Sequence, residues 1–79
     1  MTQSVVPPPS LVARVMQQQG ISQRELARRA DLSLQTVHEA HQGRIVSMEV
    51  AVKLARGLRV PLSRISPVWA EKLSGVVLD

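Results

Sequence analysis

The chain has 79 residues, enough for one small domain, and 44% of them are hydrophobic although it holds one Trp and no Phe or Tyr. It has no cysteine, which excludes disulfides and thiolate metal sites, and no apolar run approaches the roughly 20 residues that span a bilayer. Ten Lys and Arg against six Asp and Glu give a net charge of +4, which favours a polyanionic partner such as nucleic acid but also serves solubility. We expect a cytoplasmic protein, because the start of the chain lacks the regions of a secretory signal.

The first nine residues end in three consecutive prolines and predict an N-terminal arm, 1–9, ahead of the folded domain. A helix is then predicted from Ser10, whose hydroxyl suits the N-cap, to Gly20, which suits the left-handed position after a helix. Apolar residues at helical spacing predict its buried stripe: Leu11, Val12, Val15 and Met16.

The next two predicted helices are short and close together in the chain. Ser22 and Glu25 have the spacing of a capping box, in which each side chain satisfies a free backbone N–H, and they predict a second helix over about 23–30. After a turn of about three residues, Ser33 is the expected cap of a third helix over about 34–41. The inward residues are Leu26, Ala27 and Ala30 in the second helix and Val37 and Ala40 in the third.

The rest of the predicted domain, 10–66, consists of two further helices. Ser47 is the expected cap of the fourth, and the short fifth carries Ile65 inward. Ser66 and Pro67 suit a cap and a first helical position, so a C-terminal extension, 67–79, begins there. The pattern leaves open whether this extension is a short helix, a strand or a frayed tail.

Two short helices joined by a tight turn form a helix-turn-helix. Alanine at positions 27 and 30 is small enough to let the two helices approach closely, while the outer face of the third helix carries short polar side chains. Because the major groove of B-DNA admits one helix, this outer face is a candidate DNA reader.

The segments "GISQRELARRADLSLQTVHEAHQGR" and "SMEVAVKLARGLRVPLSRI" resemble the lambda-repressor-like, Cro-like helix-turn-helix family, also called the xenobiotic-response-element type. The resemblance covers roughly residues 11–65 and includes the "SQ-x-ELA" start, the "LS" before the third helix and the "QG" at its end. It implies an all-α, compact five-helix fold that binds double-stranded DNA, with the C-terminal extension as an extra element.

The resemblance also implies roles for individual residues. Gln23 falls where family members contact a DNA phosphate and brace the recognition helix. Leu34, Gln35 and Glu39 fall at base-reading positions, where Leu34 would meet a thymine methyl and Glu39 would accept from cytosine N4. The full predicted DNA-binding set is Gln23, Ser33, Leu34, Gln35, Thr36, His38, Glu39, Gln42 and Arg44. The family also uses main-chain N–H groups of the loop at 42–44 to meet the DNA backbone.

The chain departs from the family pattern at its turns and loops. Asp31 stands where Gly is common, and Arg59 and Pro61 replace the Gly and Ser often found at the last helix junction. The loop after the third helix is about one residue shorter than in many members. It holds Ile45 and Val46 instead of polar residues, which points either to a weaker backbone contact or to a role in dimerisation.

The segment "HEAH" is similar to the zinc-protease helix motif H-E-x-x-H. That motif has its histidines four residues apart, whereas here they are three apart. A site with two histidines and no third ligand is poor, so we expect no metal and no cofactor. We interpret His41 as half-buried beside Met16 and His38 as exposed and close to DNA.

The function expected from the resemblance is a sequence-specific transcriptional regulator, a Cro-like repressor that binds a near-palindromic operator as a homodimer. Such a chain suits a phage or bacterial regulator, or the DNA-binding part of a longer repressor. The candidate dimerisation residues are Ile45, Val46, Trp69, Val76, Val77 and Leu78; for Trp69, covering the core is the alternative. A second hypothesis is an interaction module on the same fold that holds a protein partner such as a toxin or a regulator. An enzyme is not expected, because no nucleophile constellation or phosphate-binding glycine loop is present.

Overall fold

Helices make up nearly all of the chain that the structure, a computed structural model, describes: the backbone of residues 10–45 and 47–77, with side chains as far as residue 72. They are α1 (Leu11–Gln19), α2 (Gln23–Ala30), α3 (Leu34–His41), α4 (Met48–Leu58), α5 (Leu62–Ile65) and α6 (Pro67–Val77). The predicted all-α class is confirmed, and the extension is a helix as far as Val77, so the strand alternative was wrong. The N-terminal arm predicted at 1–9 lies outside the described residues.

Serine side chains start the first four helices, as the sequence predicts. Each hydroxyl accepts from the backbone N–H three residues on, with N–Oγ distances of 3.0 to 3.2 Å, for Ser10, Ser22, Ser33 and Ser47. The capping box at α2 is only half formed, because the Glu25 carboxylate turns to Arg28 and Arg29 on its own helix. Two charged donors one turn away hold this carboxylate more strongly than a single backbone N–H.

Three helices end in a left-handed residue, which lets the chain turn sharply while the last carbonyls stay bonded. Gly20 has φ 68° after α1, as the sequence predicts. Asp31 has φ 56° after α2 and Arg59 has φ 58° after α4, so both non-glycine departures from the family pattern occupy the conformation that glycine prefers.

The core is aliphatic and lies between α1, α2, α3, α4 and α5. Its buried members are Val12, Val15, Met16, Leu26, Ala30, Val37, Ala40, Leu54, Ala55, Leu58 and Ile65. Helices α2 and α4 pack tightly against each other, and a Cβ added at Gly57 would lie 3.0 Å from the Ala30 Cβ. Ala30, which the sequence suggested for the contact with α3, is therefore small because α4 needs the space.

Helix α6 is joined to the rest of the domain at its first turn. The Ser66 hydroxyl accepts from the Trp69 backbone N–H at 3.4 Å, and the Trp69 indole N–H donates to the Ile45 carbonyl at 3.0 Å. The extension is therefore anchored to the loop that follows α3. None of the helices in the described residues has the length and apolar character needed to cross a membrane.

Candidate nucleic-acid interface

Helix α3 has one buried side and one outward side. Val37 and Ala40 are fully buried, and they hold the helix against α1 and α2. At about 100° per residue, the positions of Gln35 and His38 fall on the opposite side, and Leu34 lies at its edge, about 90° around the helix from the buried side. Helix α3 is thus packed against the domain on its buried side, and its outward side is left in solvent.

The outer ridge of α3 consists of Leu34, Gln35, His38, Glu39 and Gln42. Leu34 is 46% exposed, and Glu39 is half-buried at one edge. Gln35 donates to the Glu39 carboxylate at 3.3 Å, so these two predicted base readers are held as a pair. The ridge therefore presents an apolar contact, an amide and a carboxylate next to one another.

The predicted residues at the start of α3 bond to each other. The hydroxyls of Ser33 and Thr36 are 2.8 Å apart, and the Ser33 hydroxyl also caps the helix. Ser33 is exposed and Thr36 is half-buried. These two side chains lie beside the ridge and not on it.

Gln23, at the start of α2, is joined to the ridge through His38. The Gln23 Oε1 and His38 Nδ1 atoms are 3.3 Å apart, and the Gln42 Nε2 and His38 Nε2 atoms are also 3.3 Å apart. The row Gln23–His38–Gln42 crosses the face formed by the two helices. Sequence reasoning named all three residues but did not foresee that the imidazole connects them.

The loop after α3 differs from what the resemblance implies. The backbone N–H groups of Gln42, Gly43 and Arg44 all donate to carbonyls of α3, at 2.9 to 3.2 Å. Because these amides are already bonded within the chain, they are not free donors in this structure, and the contact of the loop with the DNA backbone stays a prediction. The exposed side chains of Arg44 and Gln42 are the remaining groups there that can donate to a phosphate.

Two arginines of α2, Arg28 and Arg29, form a basic cluster away from the outer ridge. Arg28 and Arg29 bond to the Glu25 carboxylate at 2.6 Å and 2.9 Å, and these two guanidinium groups, Arg28 first, hold the pKa of Glu25 below its usual range. The same bond raises the pKa of Arg28. These side chains are centred about 190° around the helix from Gln23, so they face away from the ridge.

The two histidines of "HEAH" have different surroundings. His38 is exposed and bonds to two glutamines, whereas His41 is half-buried in a depression beside Met16 and Gln17 of α1. Within the ranges 10–45 and 47–77, no three His, Cys, Asp or Glu side chains are grouped closely enough to hold a metal ion.

The predicted dimerisation residues are only partly described. Ile45 is half-buried against the core, and Trp69 is bonded to its carbonyl within the same chain. Val46 and Leu78, and the side chains of Val76 and Val77, lie outside the described residues. An apolar groove beside Trp69 carries two exposed residues that sequence reasoning missed, Leu11 and Val68, at 39% and 63% exposure. Leu11 was predicted in the buried stripe of the first helix, which was wrong for this residue, and Val68 had no predicted role; only the packing of α6 reveals the groove.

Comparison with protein families gives one finding about the whole domain. A family model described as "Helix-turn-helix" matches residues 12–65, which run from α1 through α5. Searches of curated proteins and of solved structures gave no match. The match covers more than half of the chain and includes all residues of the outer ridge of α3. The chain belongs to the helix-turn-helix family of lambda-repressor-like, Cro-like DNA-binding domains.

Proposed function

We propose that the protein is a sequence-specific transcriptional regulator, a Cro-like repressor that places α3 in the major groove of a near-palindromic operator. The observation that carries the proposal is the ridge itself: α3 buries Val37 and Ala40 and turns Leu34, Gln35 and His38 to solvent. A monomeric domain gains no stability from an exposed leucine at the start of a helix, whereas a thymine methyl offers it an apolar contact.

The ridge chemistry suits recognition of a base sequence. The Gln35 amide can both donate to and accept from an adenine edge, and a carboxylate such as Glu39 accepts from cytosine N4. The bond between these two side chains limits the freedom of each and lowers the entropy lost on binding. Gln23 and Arg44 flank the ridge and would supply the phosphate contacts that fix its register.

Repression by such a domain needs two copies. In a homodimer the two α3 helices would enter successive major grooves about 34 Å apart, and the operator would mirror the twofold axis. The apolar groove beside Trp69, with Leu11 and Val68 at its rim, is the surface we assign to the second copy.

Two substitutions test the proposed reading face. In Gln35→Ala we expect binding to the preferred sequence to weaken by about 1–3 kcal/mol. The preference for a particular base should also be reduced at one base pair. In Arg44→Ala we expect weaker binding to all sequences and a salt slope that is smaller by about one. Gln18→Ala on α1 and Arg56→Ala on α4 are matched controls, because the exposed Gln18 side chain meets Arg64 of α5 and the exposed Arg56 side chain lies beside Arg28 and Arg29. If Gln35→Ala and Arg44→Ala bind the operator like the controls do, the proposed face is wrong.

A protein-interaction module is the second candidate function, and the exposed apolar rim around Trp69 favours it. Sedimentation of the wild-type protein and of Val68→Glu, each with and without duplex DNA, separates the two. A wild-type dimer that Val68→Glu turns into monomers supports the homodimeric regulator. If the wild-type protein is monomeric at every concentration, both free and on DNA, the groove is available to a different protein, and the interaction module is favoured.

A further inference from the structure

His38 occupies the middle of a polar row on the proposed DNA-binding surface. Its two ring nitrogens each lie 3.3 Å from a glutamine amide, Gln23 on α2 and Gln42 at the end of α3. All three side chains are at least partly exposed. The protonation of one ring therefore decides how both amides are turned.

A neutral imidazole has one N–H donor and one acceptor nitrogen. With the proton on Nδ1, Gln23 turns its Oε1 to the ring and its NH₂ group outward. Gln42 then donates to Nε2 and turns its Oε1 outward. With the proton on Nε2, both amides are reversed. In either form, neutral His38 presents one outward amide oxygen that repels a phosphate oxygen.

An imidazolium removes this conflict, because both ring nitrogens donate. Both amide oxygens then turn to the ring, and both NH₂ groups turn outward together with a positive charge. Phosphate oxygens only accept hydrogen bonds, so the DNA backbone matches the protonated row better than the neutral one.

We propose that His38 is a positioning residue that takes up a proton when the protein binds DNA and thereby turns the Gln23 and Gln42 amides toward the phosphates. This inference rests on the proposed function. The other titratable groups on the elements around His38 are Arg14 on α1, Arg24 and Glu25 on α2, Glu39 and His41 on α3, and Arg44 in the loop; Arg28 and Arg29 of α2 face away from it. Glu25 is bonded to arginines and Glu39 to Gln35, so the hydrogen-bond partners of the ring are two neutral amides.

The test measures binding to a mixed-sequence DNA duplex at about pH 6 and about pH 8, a range in which histidines change charge. For the wild-type protein we expect an affinity about fivefold higher at the lower pH per bound chain, since hydrogen bonds to charged groups are stronger than neutral ones. The slope of log affinity against log salt should also be steeper there, by up to about one. The enthalpy of DNA binding, measured by calorimetry in two buffers of different ionisation enthalpy, should show that the complex takes up protons as it forms.

Substitutions separate the ring from other titrating groups. His38→Gln keeps a donor and an acceptor but cannot gain a proton, so it should lose the proton uptake and the pH dependence while binding better than His38→Ala. His41→Gln is the matched control and should keep both pH effects. Thermal unfolding shows that each variant is folded. A pH dependence that persists in His38→Gln, or disappears in His41→Gln, contradicts the inference. No binding of duplex by the wild-type protein at either pH overturns the proposed function itself.

Discussion

Gly57 lies where α4 packs tightly against α2, and Gly57→Ala tests that packing. In an ordinary exposed helix position this change stabilises by about 1 kcal/mol, because alanine is the better helix former. Here the new Cβ would lie 3.0 Å from the Ala30 Cβ, 3.1 Å from Leu26 Cδ1 and 3.2 Å from the Ala30 backbone nitrogen. Overpacking of this kind costs about 1–3 kcal/mol, and a backbone atom cannot move cheaply. We therefore expect the free energy of unfolding of Gly57→Ala to be about 1 kcal/mol lower than that of the wild-type protein.

The assay for Gly57→Ala is thermal unfolding followed by helical circular dichroism, and we expect a fall in Tm of about 4–8 °C for a domain of this size. Ala30→Gly provides the internal control, since removal of that methyl group opens space for the new one. Gly57→Ala should therefore be less destabilising in the Ala30→Gly background than in the wild-type protein. A Tm for Gly57→Ala above that of the wild-type protein would refute the close approach of α2 and α4.

Three further substitutions test the caps and the charged group on α2. Glu25→Gln should lower Tm at neutral pH. The pKa of Glu25 is lowered from 4.5 in the folded state, so this contribution is present above that pH and lost as the pH falls through the folded value; the Tm difference between the two proteins should vanish in acid. Ser10→Ala removes a helix cap and a 2.8 Å bond to the last carbonyl of α3, and urea unfolding should show a loss of about 1–2 kcal/mol. Arg59→Gly relieves a left-handed residue with φ 58°, and the same measurement should show a gain of up to about 1 kcal/mol.

The helices were predictable because the signals that start and stop them act over a few residues. The hydroxyls of Ser10, Ser22, Ser33 and Ser47 each reach only three residues along the chain. The all-α class follows from these capping signals together with the helical spacing of apolar residues, whereas the family was predicted from the resemblance of two longer segments and confirmed by the family match. The same reasoning failed for half of the capping box, since spacing alone does not show which of several partners the Glu25 carboxylate takes.

The features that sequence reasoning missed depend on distances between helices. His38 meets Gln23 from 15 positions away, and Gly57 meets Ala30 from a different helix. The loop amides turn back to α3 because the chain tightens there, with Gly43 at φ 97°. None of these contacts leaves a periodic signal in the sequence, so each required the packed structure.

Selection of bound sequences from random duplex DNA, run in parallel with the wild-type protein and with Gln35→Ala, tests the central claim most directly. If α3 reads the major groove, the wild-type protein should enrich a near-palindrome whose half-sites are about one helical turn apart. Gln35→Ala should enrich a motif changed at the same base pair in both half-sites. Identical motifs from the two proteins, or no enrichment by the wild-type protein, would contradict recognition of DNA by the outer ridge of α3.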